Sequence, residues 1–106
     1  MDNMKGMKRT CYCGEVTLEM SEVTVGGWTA RVRDKGGIIF IDLRDRTGLV
    51  QLVFDETTEK SVFEKAKTIR SEDVLRVRGA VRARESVNNE IKTGGLEILV
   101  SELRVL

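Results

Sequence analysis

Histidine is missing from all 106 residues, and with it the commonest general base. Hydrolytic triads and metal–water chemistry built on imidazole therefore lose their usual parts, and a self-contained active site is not expected. Proline is missing as well, and no low-complexity tract or composition shift marks a linker, so the chain reads as one domain. Cys11 and Cys13 are the only cysteines and stand one residue apart, too close for an ordinary structural disulfide and without a second ligand pair for zinc. Both read as reduced thiols of a cytoplasmic protein, with no metal site. No apolar run approaches the roughly 20 residues that span a bilayer, and the polar start through Lys8 and Arg9 lacks the apolar segment of a secretory signal. A net charge of only +1 excludes a protein that holds nucleic acid through its overall charge; any such binding needs a local patch.

What is present is alternation. With 41% hydrophobic and 33% charged residues the chain is globular and long enough for a single core. Residues 1–9 read as a flexible N-terminal extension and residues 10–106 as the domain. From Val23 to Asp34 a first strand is expected, with a bulge at Gly26-Gly27: Val23 and Val25 carry the apolar parity before the glycines, Trp28, Ala30 and Val32 after them. In the second strand Ile39, Ile41 and Leu43 belong in the core, leaving Ile38, Phe40 and Asp42 on the other face. In the third, Val50, Leu52 and Phe54 form the apolar row and Gln51 projects opposite them, the two strands being joined by a tight hairpin at Asp45-Arg46-Thr47-Gly48. Ser61-Val62-Phe63-Glu64 has the form of a capping box, and Val62, Phe63, Ala66 and Ile69 recur at helical spacing, which predicts a short helix to about Arg70 laid over one end of a barrel. A fourth strand over Val74 to Arg84 places Leu75, Val77, Val81 and Ala83 on one parity and Arg76, Arg78, Arg82 and Arg84 on the other. A loop over 85–95 leads to a last strand from Leu96 to about Leu106. Three strands, a helix and two strands make an all-β fold with one short helix, the order of the five-stranded Greek-key OB barrel, with its helix between strands three and four.

The outward arginines, with Arg31 and Arg33 on the first strand, offer planar donors to phosphates and base edges. Phe40 is placed to stack on a splayed base, and the Gln51 amide, donor and acceptor together, matches the O4 and N3–H of a uracil. Phe40 also reads as an ordinary core aromatic if the parity is one residue out, and the arginines as a solvated face balanced by Glu22, Asp34, Asp42, Asp45 and Glu97. Physical chemistry alone stops at an OB-fold nucleic-acid binder of unknown target. A sequence-tolerant single-strand binder and a protein-interaction domain are the other classes that fit.

Several strings carry the reading further: Arg9-Thr10-Cys11-Tyr12-Cys13-Gly14, Gly27-Trp28, Arg31-Val32-Arg33-Asp34-Lys35-Gly36-Gly37, Phe40 to Arg46, Gly48 to Phe54, Gly79 to Arg84, and Thr93 to Leu103. From about Thr10 to Leu106 the chain resembles the N-terminal anticodon-binding domain of bacterial aspartyl-tRNA synthetases. The resemblance implies recognition of the anticodon stem-loop of aspartate tRNA. It implies Phe40 stacking on the central uracil, Gln51 bonding its edge, Arg33 and Glu97 reading the wobble base, and Arg82, Arg84 and Asn88 along the loop backbone and the last base. The sequence departs from the family in Arg31-Val32-Arg33, where three arginines are usual, in Lys35, where leucine or histidine is common, and in Gly95, where an acidic residue is expected. The family's catalytic domain, with its ATP and magnesium, would follow Leu106. The chain is therefore expected to need no cofactor of its own and to be a monomeric excised domain or a free-standing relative, though the parent enzyme is expected to be a homodimer.

Overall fold

The alternating rows of the second and third strands become the core of a closed barrel. The computed structural model describes residues 2–3 and 6–106. Its strands are β1 (Glu22–Asp34), β2 (Ile39–Asp45), β3 (Gly48–Phe54), β4 (Val74–Ala83) and β5 (Leu96–Val105), with one helix, α1 (Lys60–Ala66), between β3 and β4. Around the barrel the order is β1, β2, β3, β5, β4, and β4 returns to pair with β1. The one parallel contact is β3 with β5, where Leu52 faces Ile98 and Val53 faces Leu99. This is the OB architecture expected from the element order.

Ile39, Ile41 and Leu43 of β2 lie opposite Phe54, Leu52 and Val50 of β3, and all six are buried. Each such side chain stabilises the fold by roughly 1.5–3 kcal/mol relative to exposure. The hairpin between them closes at Asp45 and Gly48, and Gly48, just after the two turn residues Arg46 and Thr47, takes φ +142°, a backbone conformation that favours glycine.

In β1 the break in pattern sits elsewhere than expected. Pairing with β4 runs without interruption through Gly26 and Gly27, from Glu22 opposite Ala80 to Trp28 opposite Val74. The irregularity is at Ala30, between Thr29 opposite Leu43 and Arg31 opposite Asp42. The odd parity of Val23 and Val25 therefore continues inward to Thr29, while Trp28 faces out with 38% of its surface exposed. The glycines serve close approach: a Cβ on Gly27 would stand 2.2 Å from the carbonyl oxygen of Arg44, where β1 passes from β4 to β2. Gly27→Ala is expected to force these strands apart and cost about 1–3 kcal/mol, read as a lower urea midpoint with an unchanged slope.

The helix is shorter than its sequence pattern, ending at Ala66, and Ser61 does not cap it. Glu59 occupies the N-cap without a side-chain cap hydrogen bond, and the Ser61 hydroxyl donates to the Glu59 carboxylate instead. The apolar stripe acts as expected: Ala66 and Ile69 join the core, and Val62 and Phe63 pack against it.

The N-terminal residues lie against the barrel. A 3-10 turn over Cys13–Glu15 sits on the β2–β3 hairpin, with the Cys13 amide donating to Asp45 Oδ2 and the Gly14 amide to Thr47 Oγ1, both at 2.8 Å. Cys13 is buried, and burial, reinforced by the neighbouring Asp45 charge, pushes its thiol far above the ordinary range, leaving it protonated. Within the segment read as an extension, Met1, Met4 and Lys5 lie outside the described residues, whereas Met7 is fully buried. The Asp2 amide donates to the Val105 carbonyl and the Val105 amide to Asp2 Oδ2, each at 2.9 Å.

Candidate nucleic-acid interface

Strand register decides which outward side chains meet. Arg33 of β1 lies opposite Phe40 of β2, and its guanidinium carbon stands 5.5 Å from the centre of the Phe40 ring. Asp42, two residues further along β2, faces Gln51 of β3. Because β3 runs beside β5, Glu97 reaches Gln51 across 46 residues of sequence. The result is a continuous polar row. Arg33 Nη2 donates to Gln51 Oε1 at 2.9 Å and approaches Asp42 Oδ1 at 3.3 Å. Gln51 Nε2 donates to Glu97 Oε1 at 2.9 Å, and Arg82 Nε donates to Glu97 Oε2 at 2.8 Å. Arg82 Nη2 ends the row 3.5 Å from Asp55 Oδ2.

The chemistry of these groups fixes the amide. A guanidinium can only donate and an ionised carboxylate can only accept, so the Gln51 oxygen must face Arg33 and its nitrogen Glu97. Gln51 is 4% exposed and Glu97 8%, so this row forms the floor of the site. Burial opposes the charge on Arg82, but the Glu97 carboxylate outweighs it and holds the guanidinium proton more tightly than usual. Above the floor lies a cleft of about 600 Å³ whose walls include Lys35, Ile38 and Phe40 on one side and Arg84, Glu85 and Ser86 on the other. The Lys35 and Arg84 side chains carry no hydrogen bond or ion pair among the described residues, so both remain available to an anionic ligand.

Of the eight side chains singled out in the sequence, six line this cleft: Arg33, Phe40, Gln51, Glu97, Arg82 and Arg84. Arg31 and Asn88 do not. Arg31 is exposed on the outer face opposite Asp42, and Asn88 shapes its own loop, its Oδ1 accepting from the Glu90 amide at 3.0 Å. The four arginines of β4 do not form one set either. Arg82 and Arg84 line the cleft, whereas Arg76 and Arg78 turn to the N-terminal segment, donating to the carbonyls of Met7 and Gly6 at 2.8 and 2.7 Å. Parity alone hid this division, because the first half of β4 pairs with β1 on one side and the second half leaves that partner behind.

Asp55 was not singled out from sequence, although Asp55-Glu56-Thr57 just after a strand is a turn signal. Its Oδ1 accepts from the Thr57 amide at 2.9 Å and from the Thr57 hydroxyl at 2.6 Å. Burial raises the carboxyl, but Thr57 and Arg82 outweigh it and hold it below the ordinary carboxylate value. Asp45 is held low in the same way, burial being outweighed by Thr47 and the Cys13 amide. Both folded values lie below the unfolded one, so their contribution is complete above the unfolded value and is lost as pH falls through the folded one. The urea midpoint is expected to stay flat from pH 7 to 5 and to fall below about pH 4, with a shallower fall in Asp45→Asn.

This outward row of cations, an amide and an aromatic on strands β1 to β5 is the arrangement used to hold unstacked bases. A family model described as an OB-fold nucleic acid binding domain of the tRNA anticodon type matches residues 23–106. The chain belongs to this family. The anticodon-type OB domain is 57% identical over 105 residues to an aspartate–tRNA(Asp/Asn) ligase of Symbiobacterium thermophilum, covering 94% of this chain and 18% of that protein. It is 50% identical over 102 residues to an aspartate–tRNA ligase of Limosilactobacillus fermentum, covering 94% of this chain and 17% of that protein. The OB domain thus spans less than a fifth of the length of these relatives. Its backbone superposes on the crystal structure of asparaginyl-tRNA synthetase from Pyrococcus horikoshii with a TM-score of 0.77 and 33% identity, covering 94% of this chain and 23% of that one. Among its described residues no helix is long and apolar enough to cross a membrane.

Proposed function

We propose that this domain reads the anticodon loop of aspartate tRNA on behalf of an aspartate–tRNA ligase. The observation that carries the reading is the fixed polar row from Arg33 through Gln51 and Glu97 to Arg82, lying beside the Phe40 ring. Its donors and acceptors are already oriented, so a base entering the cleft meets a defined pattern. Phe40 and the planar Arg33 guanidinium provide stacking surfaces for a pyrimidine. Gln51, with one bond already made by each end of its amide, retains one N–H and one oxygen lone pair, which complement O4 and N3–H of uracil. Each Glu97 oxygen likewise retains acceptor capacity for the N1–H and N2–H of guanine. Arg84 and Lys35 supply phosphate contacts in the cleft. Activation of aspartate with ATP and magnesium, homodimerisation and the cytoplasmic setting belong to the ligase as a whole in this reading.

The test is an anisotropy titration with a labelled aspartate anticodon stem-loop and a control whose central uracil is cytosine, at about 0.15 M salt. Tighter binding of the uracil loop supports the proposal. Equal binding overturns it in favour of a sequence-tolerant single-strand binder, and no binding overturns it in favour of a protein-facing surface.

A further inference from the structure

We propose that a second strip of the outer face, formed by Arg31, Arg44, Arg46 and Lys92, grips the phosphodiester backbone of the helical stem that leads into the loop held in the cleft. The inference rests on the RNA-binding reading above and adds a separate contact to it.

Register places the strip. The outward side chains of β2 are Phe40, Asp42 and Arg44, and Arg31 lies across from Asp42. With a rise of about 3.3 Å per residue, Arg44 stands roughly 13 Å along β2 from Phe40 and the hairpin residue Arg46 roughly 20 Å. That is beyond the reach of bases seated on Phe40, Gln51 and Glu97, but on the path of a strand leaving them.

The far end of this path is a separate shallow cleft of about 380 Å³ where Arg44, Arg46 and Lys92 converge with Leu49 and Ile91. Its one carboxylate, Asp45, is turned to the protein: its oxygens accept from the amides of Cys13 and Thr47 and from the Thr47 hydroxyl at 2.6–2.8 Å. Arg31, Arg44 and Lys92 are exposed, and their side chains carry no hydrogen bond or ion pair among the described residues. Arg46 is held in place differently. Its guanidinium lies 4.5 Å from the centre of the Tyr12 ring, with Arg9 over the same ring at 4.7 Å. In a chain of net charge +1, where Asp42, Asp55, Glu97 and Glu102 are all ion-paired, a run of cations without carboxylate partners complements a polyanion. Planar guanidinium groups set at intervals along a strand suit successive phosphates.

The experiment compares the unaltered domain with an Arg44→Ala/Lys92→Ala variant on two RNAs, the stem-loop and a single-stranded heptamer of the same loop sequence. Both substitutions are at exposed positions, and a circular-dichroism melt verifies the fold. The stem-loop affinity of the variant is expected to fall about fivefold or more, and its slope against log salt to flatten by about 0.9 for each duplex phosphate released. Heptamer binding and the preference for uracil over cytosine are expected to persist. Unchanged stem-loop affinity and slope overturn the strip, as does an equal loss on both RNAs, which would make the cations a general electrostatic term. Failure of anticodon reading has a different signature: the unaltered domain binds the uracil and cytosine loops equally while the variant still shows the flattened slope. If the unaltered domain binds neither RNA, both proposals fall.

Discussion

Phe40→Ala is expected to weaken binding of the aspartate anticodon stem-loop by about 5- to 150-fold, the 1–3 kcal/mol that one base–aromatic stack contributes. The ring lies on the outward face of β2, half-buried, with its core-facing neighbours Ile39 and Ile41 untouched by the substitution. Across the strand pair the Arg33 guanidinium lies beside the ring, and an exposed contact of that kind contributes about 0.5–1 kcal/mol. Binding should therefore fall far more than stability. A urea titration run beside the anisotropy measurement separates the two, and a variant that loses several kcal/mol of stability with unchanged affinity would identify Phe40 as a packing residue.

Glu97 is expected to show the opposite balance. Glu97→Ala removes the acceptor for both Gln51 Nε2 and Arg82 Nε, at a position 8% exposed. The orphaned Gln51 amide costs about 1–3 kcal/mol. The loss at Arg82 is smaller, because its side chain is 42% exposed and keeps Asp55. Without Glu97 the Gln51 amide is held at its oxygen by Arg33 alone, so its nitrogen is less firmly aimed and selectivity for the central and wobble bases should decline together. Glu97→Gln separates charge from shape: its amide oxygen can still accept from Gln51 while its NH2 faces the Arg82 donor, so stability should return in part. Guanine selection at the wobble position should not, since an amide presents only one acceptor atom where the carboxylate presented two. Affinities for loops with guanine and adenine at that position decide it, and equal discrimination by all three proteins would remove Glu97 from base reading.

The rows that the sequence made legible are those governed by a local period. Ile39, Ile41 and Leu43 opposite Phe54, Leu52 and Val50 follow from alternation and a two-residue hairpin, and they carry Phe40 and Gln51 to the outer face with them. The bulge was misplaced because glycines mark both bulges and close strand approaches. Only the barrel shows that Gly27 makes room for Arg44 while Ala30 takes up the extra residue. Thr29 and Trp28 consequently exchange places between inside and outside, against their hydrophobicity, because barrel register overrides side-chain preference. The Gln51–Glu97 bond escaped spacing arguments altogether. It depends on the parallel pairing of β3 with β5, and Glu97 entered the candidate set through family resemblance rather than periodicity.

Asp2 and Val105 bond to each other through both backbone and side chain, so the two ends of the barrel emerge at one spot. A short bridge between them would make a ring of the chain, and the break could then be moved to an exposed turn far from the cleft. Topologically the domain is a cassette: it can be set into a loop of another protein, entering and leaving through a single gap at the opposite end of β5 from Glu97.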